Sequence, residues 1–262
     1  MFSFLIATSQ KTNYKITYMH CIQFDTAKSL VNDVGFPATL IGNSLESNYT
    51  MNKIYGKKID TSGISYDQAL KAQGTYIIKM PGSQASDSFG NQVYYNRKID
   101  SIYLREKMPD EYLITKEKTP VIQWLITKDT MTVLGYVCTM AKAHFRGRHY
   151  KAYFTSAIPI ASGPWKFLGL PGLVLQIQDE KNQVKIFATK VEYPVADQVQ
   201  KFSGEGRLIQ AAEYVIMRDE YHKKTLRKMD QANSGQELHD GSFFSPKTKK
   251  TQGIYGIELK VN

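Results

Sequence analysis

The stretch Val133-Leu134-Gly135-Tyr136-Val137-Cys138-Thr139-Met140-Ala141-Lys142-Ala143-His144-Phe145, followed by Arg146-Gly147 and then Arg148-His149-Tyr150-Lys151-Ala152-Tyr153-Phe154-Thr155, decides the fold. Two runs of alternating residues flank a two-residue Arg-Gly step, the pattern of a β-hairpin. With Arg146-Gly147 as the loop, Phe145 faces Arg148, His144 faces His149, Ala143 faces Tyr150 and Ala141 faces Ala152. One face then carries Thr139, Ala141, Ala143, Phe145, Tyr150, Ala152 and Phe154, the expected core. The other carries Cys138, Met140, Lys142, His144, His149, Lys151 and Tyr153, the expected solvent or ligand side.

The same texture extends in both directions. Residues 11–24 alternate with period two. Residues 38–54 read as two strands around Gly42-Asn43-Ser44. Residues 93–96, 101–106, 111–115 and 121–127 read as short strands, with Asp129-Thr130 turning the chain into the hairpin. A second hairpin spans 173–178 and 183–191. Between the hairpins, Gly163-Pro164 and Gly169-Leu170-Pro171-Gly172 bracket an apolar Trp165-Lys166-Phe167-Leu168, and Pro171-Gly172 fit the centre of a type II turn. Residues 208–229 predict a helix, because Leu208, Ala212, Val215, His222, Leu226 and Met229 recur at helical steps, with Lys223, Lys224, Arg227 and Lys228 in its last turns. Residues 55–90 read as one long loop, apart from a strand at 76–80, and residues 254–261 as a closing strand. The expected architecture is mainly β: a curved antiparallel sheet, a half-barrel or open barrel, with one C-terminal amphipathic helix, in a single domain over 11–262.

Composition narrows the function classes. The chain has 262 residues, 42% hydrophobic and 12% aromatic, which argues against disorder. No run approaches the roughly 20 apolar residues of a membrane-spanning helix. Cys21 and Cys138 are too few for a disulfide scaffold and form no Cys-x-x-Cys pair; one bridge or two thiols are both open. Residues 1–10, Met-Phe-Ser-Phe-Leu-Ile-Ala-Thr-Ser-Gln, read as the end of a secretory signal without its basic start, or as a frayed apolar terminus. The first reading places the protein outside the cytoplasm if translation starts upstream of Met1.

The net charge of +10 comes with no nucleic-acid recognition motif, so no nucleic-acid partner is expected. An anionic lipid or other anionic envelope surface is the natural counterpart. There is no nucleophile elbow, phosphate loop, dinucleotide fingerprint or His-Glu-x-x-His, and no cofactor is indicated. Asp25, Asp33, Asp100, Asp110, Glu111, Asp129, Asp179 and Glu180 fall at turns, where turn chemistry accounts for them. Two local candidates remain. His144 and His149, about 5 Å apart at Cβ as cross-strand partners, could share a Zn(II) or Cu(I) ion with the soft donors Met140 and Cys138 near them. The loop Gly163, Pro164, Trp165, Phe167, Gly169, Pro171 and Gly172 presents large rings on a stiff backbone, either as a partner or ligand site or as a cap on the sheet.

Five blocks together resemble the GLPGLI family of Gram-negative envelope proteins. They are Gly135-Tyr136-Val137-Cys138-Thr139-Met140-Ala141, Phe145-Arg146-Gly147-Arg148, Ile158-Pro159-Ile160, Gly163-Pro164-Trp165-Lys166-Phe167 and Gly169-Leu170-Pro171-Gly172-Leu173-Val174. The match extends over about 92–191, with Val174 replacing the final Ile and Met140 standing where the family often has Lys. The family has no established activity. The resemblance implies export to the periplasm or outer membrane and a role beside a TonB-dependent outer-membrane receptor. The expectation is therefore a non-enzymatic envelope protein that binds a partner or small apolar ligand, with a metal-dependent enzyme or metal-binding protein built on His144 and His149 as the alternative.

Overall fold

The computed structural model describes residues 12–22, 35–51, 87–108 and 110–233. The expected signal remnant, most of the 55–90 loop with its strand at 76–80, and the closing strand at 254–261 lie outside the described residues. The remainder is mainly β, as expected: one open sheet of twelve strands and one helix.

The strands are β1 (Asn13–Ile22), β2 (Gly35–Gly42), β3 (Glu46–Met51), β4 (Asn91–Asn96), β5 (Ser101–Lys107), β6 (Tyr112–Lys118), β7 (Leu125–Val133), β8 (Tyr136–Phe145), β9 (Arg148–Thr155), β10 (Leu173–Asp179), β11 (Val184–Val195) and β12 (Arg207–Ile209). The helix α1 is Ala211–Asn233. The order across the sheet is β12-β6-β5-β4-β3-β2-β1-β11-β10-β9-β8-β7. Every pairing is antiparallel except β12 with β6, so the sheet is mixed at that edge.

Sequence neighbours thus sit at opposite ends. β6 is next to one edge and β7 forms the other, yet only residues 119–124 join them. A link that short spans at most about 24 Å, so the sheet curls until its ends approach without pairing. The concave side holds the core: Tyr14, Ile16 and Tyr18 from β1, Tyr49, Ile102, Leu113, Tyr150, Leu175 and Ile186 are all at most 1% exposed. The Tyr14 hydroxyl donates to Ser162 Oγ (2.7 Å) and the Tyr18 hydroxyl to the Val174 carbonyl (2.6 Å). These bonds satisfy buried phenols and tie β1 to the far half of the sheet.

The central hairpin has the expected register, with Phe145 opposite Arg148, His144 opposite His149, Ala143 opposite Tyr150 and Ala141 opposite Ala152. Arg146 and Gly147 have φ of 49° and 83°, as a primed turn requires.

Four details differ from expectation. The turn before the hairpin is Leu134-Gly135, with φ of 50° and 81°, and not Asp129-Thr130; those residues lie within β7, at a register shift between Ile126 and Thr130. Cys138 and Met140 are buried, at 0% and 7% exposed. The burial pattern of β8 changes phase between Met140 and Ala141, opposite the β7 irregularity, where three β7 residues, 127–129, stand against Met140 alone and twist the pair.

The helix begins at Ala211, since Arg207–Ile209 pair with β6 as a strand, and Leu208 is 67% exposed. Among its described side chains the buried ones are Tyr214 and Arg218, and its last turn holds no basic residue, because it continues past the lysines to Asn233. Finally, the Gly172 amide donates to the Leu170 carbonyl (2.9 Å), a three-residue turn centred on Pro171 and not a type II turn. Proline's fixed φ suits that centre.

Candidate functional site

Residues 156–172 lie between β9 and β10 and close over the concave side. Trp165 is 7% and Phe167 0% exposed. Phe167 packs edge-on against Tyr150 (centroids 4.7 Å) and Phe145 (6.0 Å), and meets Trp165 at 5.5 Å. The Trp124 indole N–H donates to the Leu168 carbonyl (2.9 Å). Gly163, Pro164 and Gly172 are buried as well, while Gly169 and Pro171 are exposed. The rings therefore occupy a cap's position, and a partner would meet only the loop's outer corner.

Two glycines are required by close approach. A Cβ on Gly163 would lie 2.4 Å from the Phe167 carbonyl oxygen, and one on Gly172 would lie 2.2 Å from that of Thr155.

Lys166 sits between the two rings at 2% exposed and bonds to Glu117 of β6. Glu117 also accepts from Arg146 Nη2 in the hairpin turn, at 2.6 Å. Burial alone would push the Glu117 carboxyl up; Lys166 and Arg146 outweigh it and hold it below its ordinary range. Sequence reading did not pair these residues. The available signal was a lone lysine in an apolar run, because a buried ammonium demands a carboxylate.

His144 and His149 are side by side as expected, with ring centroids 4.8 Å apart. They are exposed and line an open depression of about 280 Å³ with Lys142, Gln123 and Glu180. Cys138 and Met140 do not join them, being six and four residues away along β8, roughly 20 and 13 Å. No group of three or more His, Cys, Asp or Glu residues able to hold a metal occurs among the described residues. Cys21 on β1 is half-buried and Cys138 on β8 is buried, and the two strands are separated by β11, β10 and β9 in the sheet.

His20 on β1 is buried. Its Nδ1 is 3.0 Å from Met51 Sδ and its Nε2 has no hydrogen-bond partner. Burial lowers its pKa to about 4. On the outer face of the other half, residues 196–206 cross β3, β4 and β5. The Gln200 and Ser203 carbonyls accept from Asn48 and Gln92, and that of Glu205 from Arg105. Arg105 is buried there beneath Gly204, paired with Asp87 and set 3.5 Å from the Tyr112 ring centre.

The β7 edge is the most apolar exposed part of the described residues. Leu125 is 67%, Ile126 48%, Leu134 47% and Val137 68% exposed, and Val121 just before it is 81% exposed. The outer side of β7 pairs with no described strand. No helix among the described residues is long and apolar enough to cross a membrane.

No curated protein matches the chain. Two crystal forms of PNGF-II are similar in structure at 19% identity, with TM-scores of 0.51 and 0.50, each covering 79% of this chain. The chain spans about a third of the length of those structures, 33% and 32%. At that identity the likeness is one of fold. Residues 91–214, from β4 into α1, match a family model described as the N-terminal domain of the N-glycanase peptide.

Proposed function

We propose that the chain is a non-enzymatic, exported envelope protein that binds a protein partner. The GLPGLI resemblance names the partner's class: a TonB-dependent outer-membrane receptor. The observation that carries the reading is the β7 edge, whose backbone lacks a strand neighbour among the described residues while Leu125, Ile126 and Val137 face solvent. Exposed apolar edges bind other chains by strand addition or lateral packing. The family description of an N-terminal domain supports a module that stands beside another functional unit. A small apolar ligand inside the cup is less favoured, because Phe145, Tyr150, Trp165 and Phe167 fill the concave side.

A photo-crosslinking residue placed at Leu125 or Val137 in cells should join the protein to an outer-membrane barrel, and one at the remote exposed Ile99 should not. Equal adducts at all three positions, or recovery of the chain from the cytoplasm alone, would overturn the reading.

The second reading, a metal site at His144 and His149, rests on the 4.8 Å ring separation. Zinc titration decides it: binding in the wild type that is lost in His144→Ala supports the site, and equal binding in both removes it.

A further inference from the structure

The registers of β8, β9, β10, β11 and β1 place two rows of side chains across the outer face of the sheet. In one row Lys142 is opposite Lys151, Lys151 opposite Gln178, Gln178 opposite Lys185, and Lys185 opposite Cys21. Two residues along each strand, on the same face, runs Met140, Tyr153, Gln176, Phe187 and Met19. On β9, β10 and β11 the pattern is Lys-Gln-Lys beside Tyr-Gln-Phe. Lys142 is exposed, and Lys151, Gln178, Lys185, Tyr153, Gln176 and Phe187 are half-buried.

Like charges directly opposite each other on paired strands destabilise a sheet, and Lys142 against Lys151 is such a pair. None of the three lysines has an ion-pair partner among the described residues; Lys185 lies over the Phe187 ring at 5.3 Å. Folding alone gives no reason for this arrangement. Among the described residues, the crossover at 196–206 covers the outer face of β3–β5 and does not extend over that of β8–β11.

We infer that this face binds a linear acidic glycan, a chain of sugar rings bearing carboxylate or sulfate groups, laid across the strands. Strand spacing sets Lys142 and Lys151 about 5 Å apart and Lys151 and Lys185 about 10 Å apart, a single line of positive charge that matches a linear polyanion. Charge complementarity in one line, and not over a plane, favours a chain over a bilayer surface. The aromatic row lies roughly 7 Å from the lysines, where Tyr153 and Phe187 offer apolar contact to the sugar rings. Gln176 and Gln178 between them can donate to and accept from hydroxyl groups. Leu125 of β7 stands opposite Lys142 at one end of the row, but the remaining residues lie on β9, β10 and β11, and the inference does not depend on the receptor reading.

The test uses the full chain with three probes: an oligogalacturonate, an uncharged dextran oligomer of equal length, and phosphatidylglycerol vesicles. The expected result is salt-sensitive binding of the oligogalacturonate with little of dextran. Lys142→Gln/Lys151→Gln/Lys185→Gln should weaken that binding at least about tenfold, which is about 1.4 kcal/mol. Its melting temperature should not fall, since a repulsive pair is removed. Lys98→Gln/Lys116→Gln/Lys118→Gln removes as many charges from the other half and should leave binding unchanged. Tyr153→Ala should weaken oligogalacturonate binding without changing its salt dependence. Equal loss in the two lysine triples would mean that net charge alone is at work and would overturn the inference. Binding to vesicles but not to the oligosaccharide would overturn it in favour of a membrane surface, and dextran bound as well as oligogalacturonate would overturn the acidic specificity.

Discussion

Lys166, in the loop after β9, and Glu117, near the other end of the sheet on β6, form a buried ion pair that ties together two halves of the sheet that never hydrogen-bond as strands there. Arg146 shares the same carboxylate from the hairpin turn. The curl of the sheet is thus fastened by charge at its rim and by aromatic packing beneath it.

Glu117→Gln removes the buried carboxylate that Lys166 and Arg146 share. The expected loss is about 3–5 kcal/mol, measured as a shift in denaturant midpoint at neutral pH. A loss below about 1 kcal/mol would mean that the pair does not hold the rim.

Trp165→Ala removes a ring that is 7% exposed and packs 6.3 Å from Phe145 and 5.5 Å from Phe167. As a cap, it should cost about 3–5 kcal/mol. A melting temperature that barely moves would instead point to a ring used for docking.

Gly172→Ala and Gly135→Ala separate steric from conformational cost. The first drives a methyl group into the Thr155 carbonyl at 2.2 Å, whereas the second meets open space at φ of 81°. Thermal unfolding should show about 1 kcal/mol lost at Gly135 and clearly more at Gly172.

His20 ties stability to pH. Burial lowers its folded-state pKa to about 4 from the ordinary 6.5. The folded value lies below the unfolded one, so the stability tied to the neutral ring is complete above pH 6.5 and declines as pH falls toward 4. The loss across that window is about 3 kcal/mol. Subtracting the pH profile of His20→Phe from that of the wild type isolates it; superimposable profiles would refute the assignment.

How much of this was legible beforehand depends on the range of each interaction. The Arg146-Gly147 turn and the pairing of His144 with His149 follow from local alternation. The misplaced turn at Asp129-Thr130 shows the limit: turn-forming residues there mark an irregular strand, and the reversal falls at Leu134-Gly135, where a leucine adopts positive φ. The Glu117–Lys166 pair joins residues 49 apart in sequence, and no periodicity reports that. The lysine row needed the registers of β8–β11 together, since Lys142 and Lys151 were visible as hairpin neighbours but Lys185 was not. Of the expected helix stripe, Val215 packs on the core and the side chains of His222, Leu226 and Met229 lie outside the described residues; Tyr214 and Arg218 are buried beside it because α1 meets the sheet at Glu106, to which the Tyr214 hydroxyl donates.

The placement of β1 bears on how the chain reaches this state. It fills the centre of the sheet between β2 and β11, and Thr17 accepts a bond from Thr189, 172 residues later. β1 leaves the ribosome well before β11 and has to wait for residues 184–195 before its second neighbour exists, with Tyr14, Ile16 and Tyr18 unsheltered meanwhile. Closing so long a loop is slow and leaves intermediates prone to clumping. Such a polypeptide stays threadable until β11 has been made, and in the cell it would need a holding chaperone during that interval.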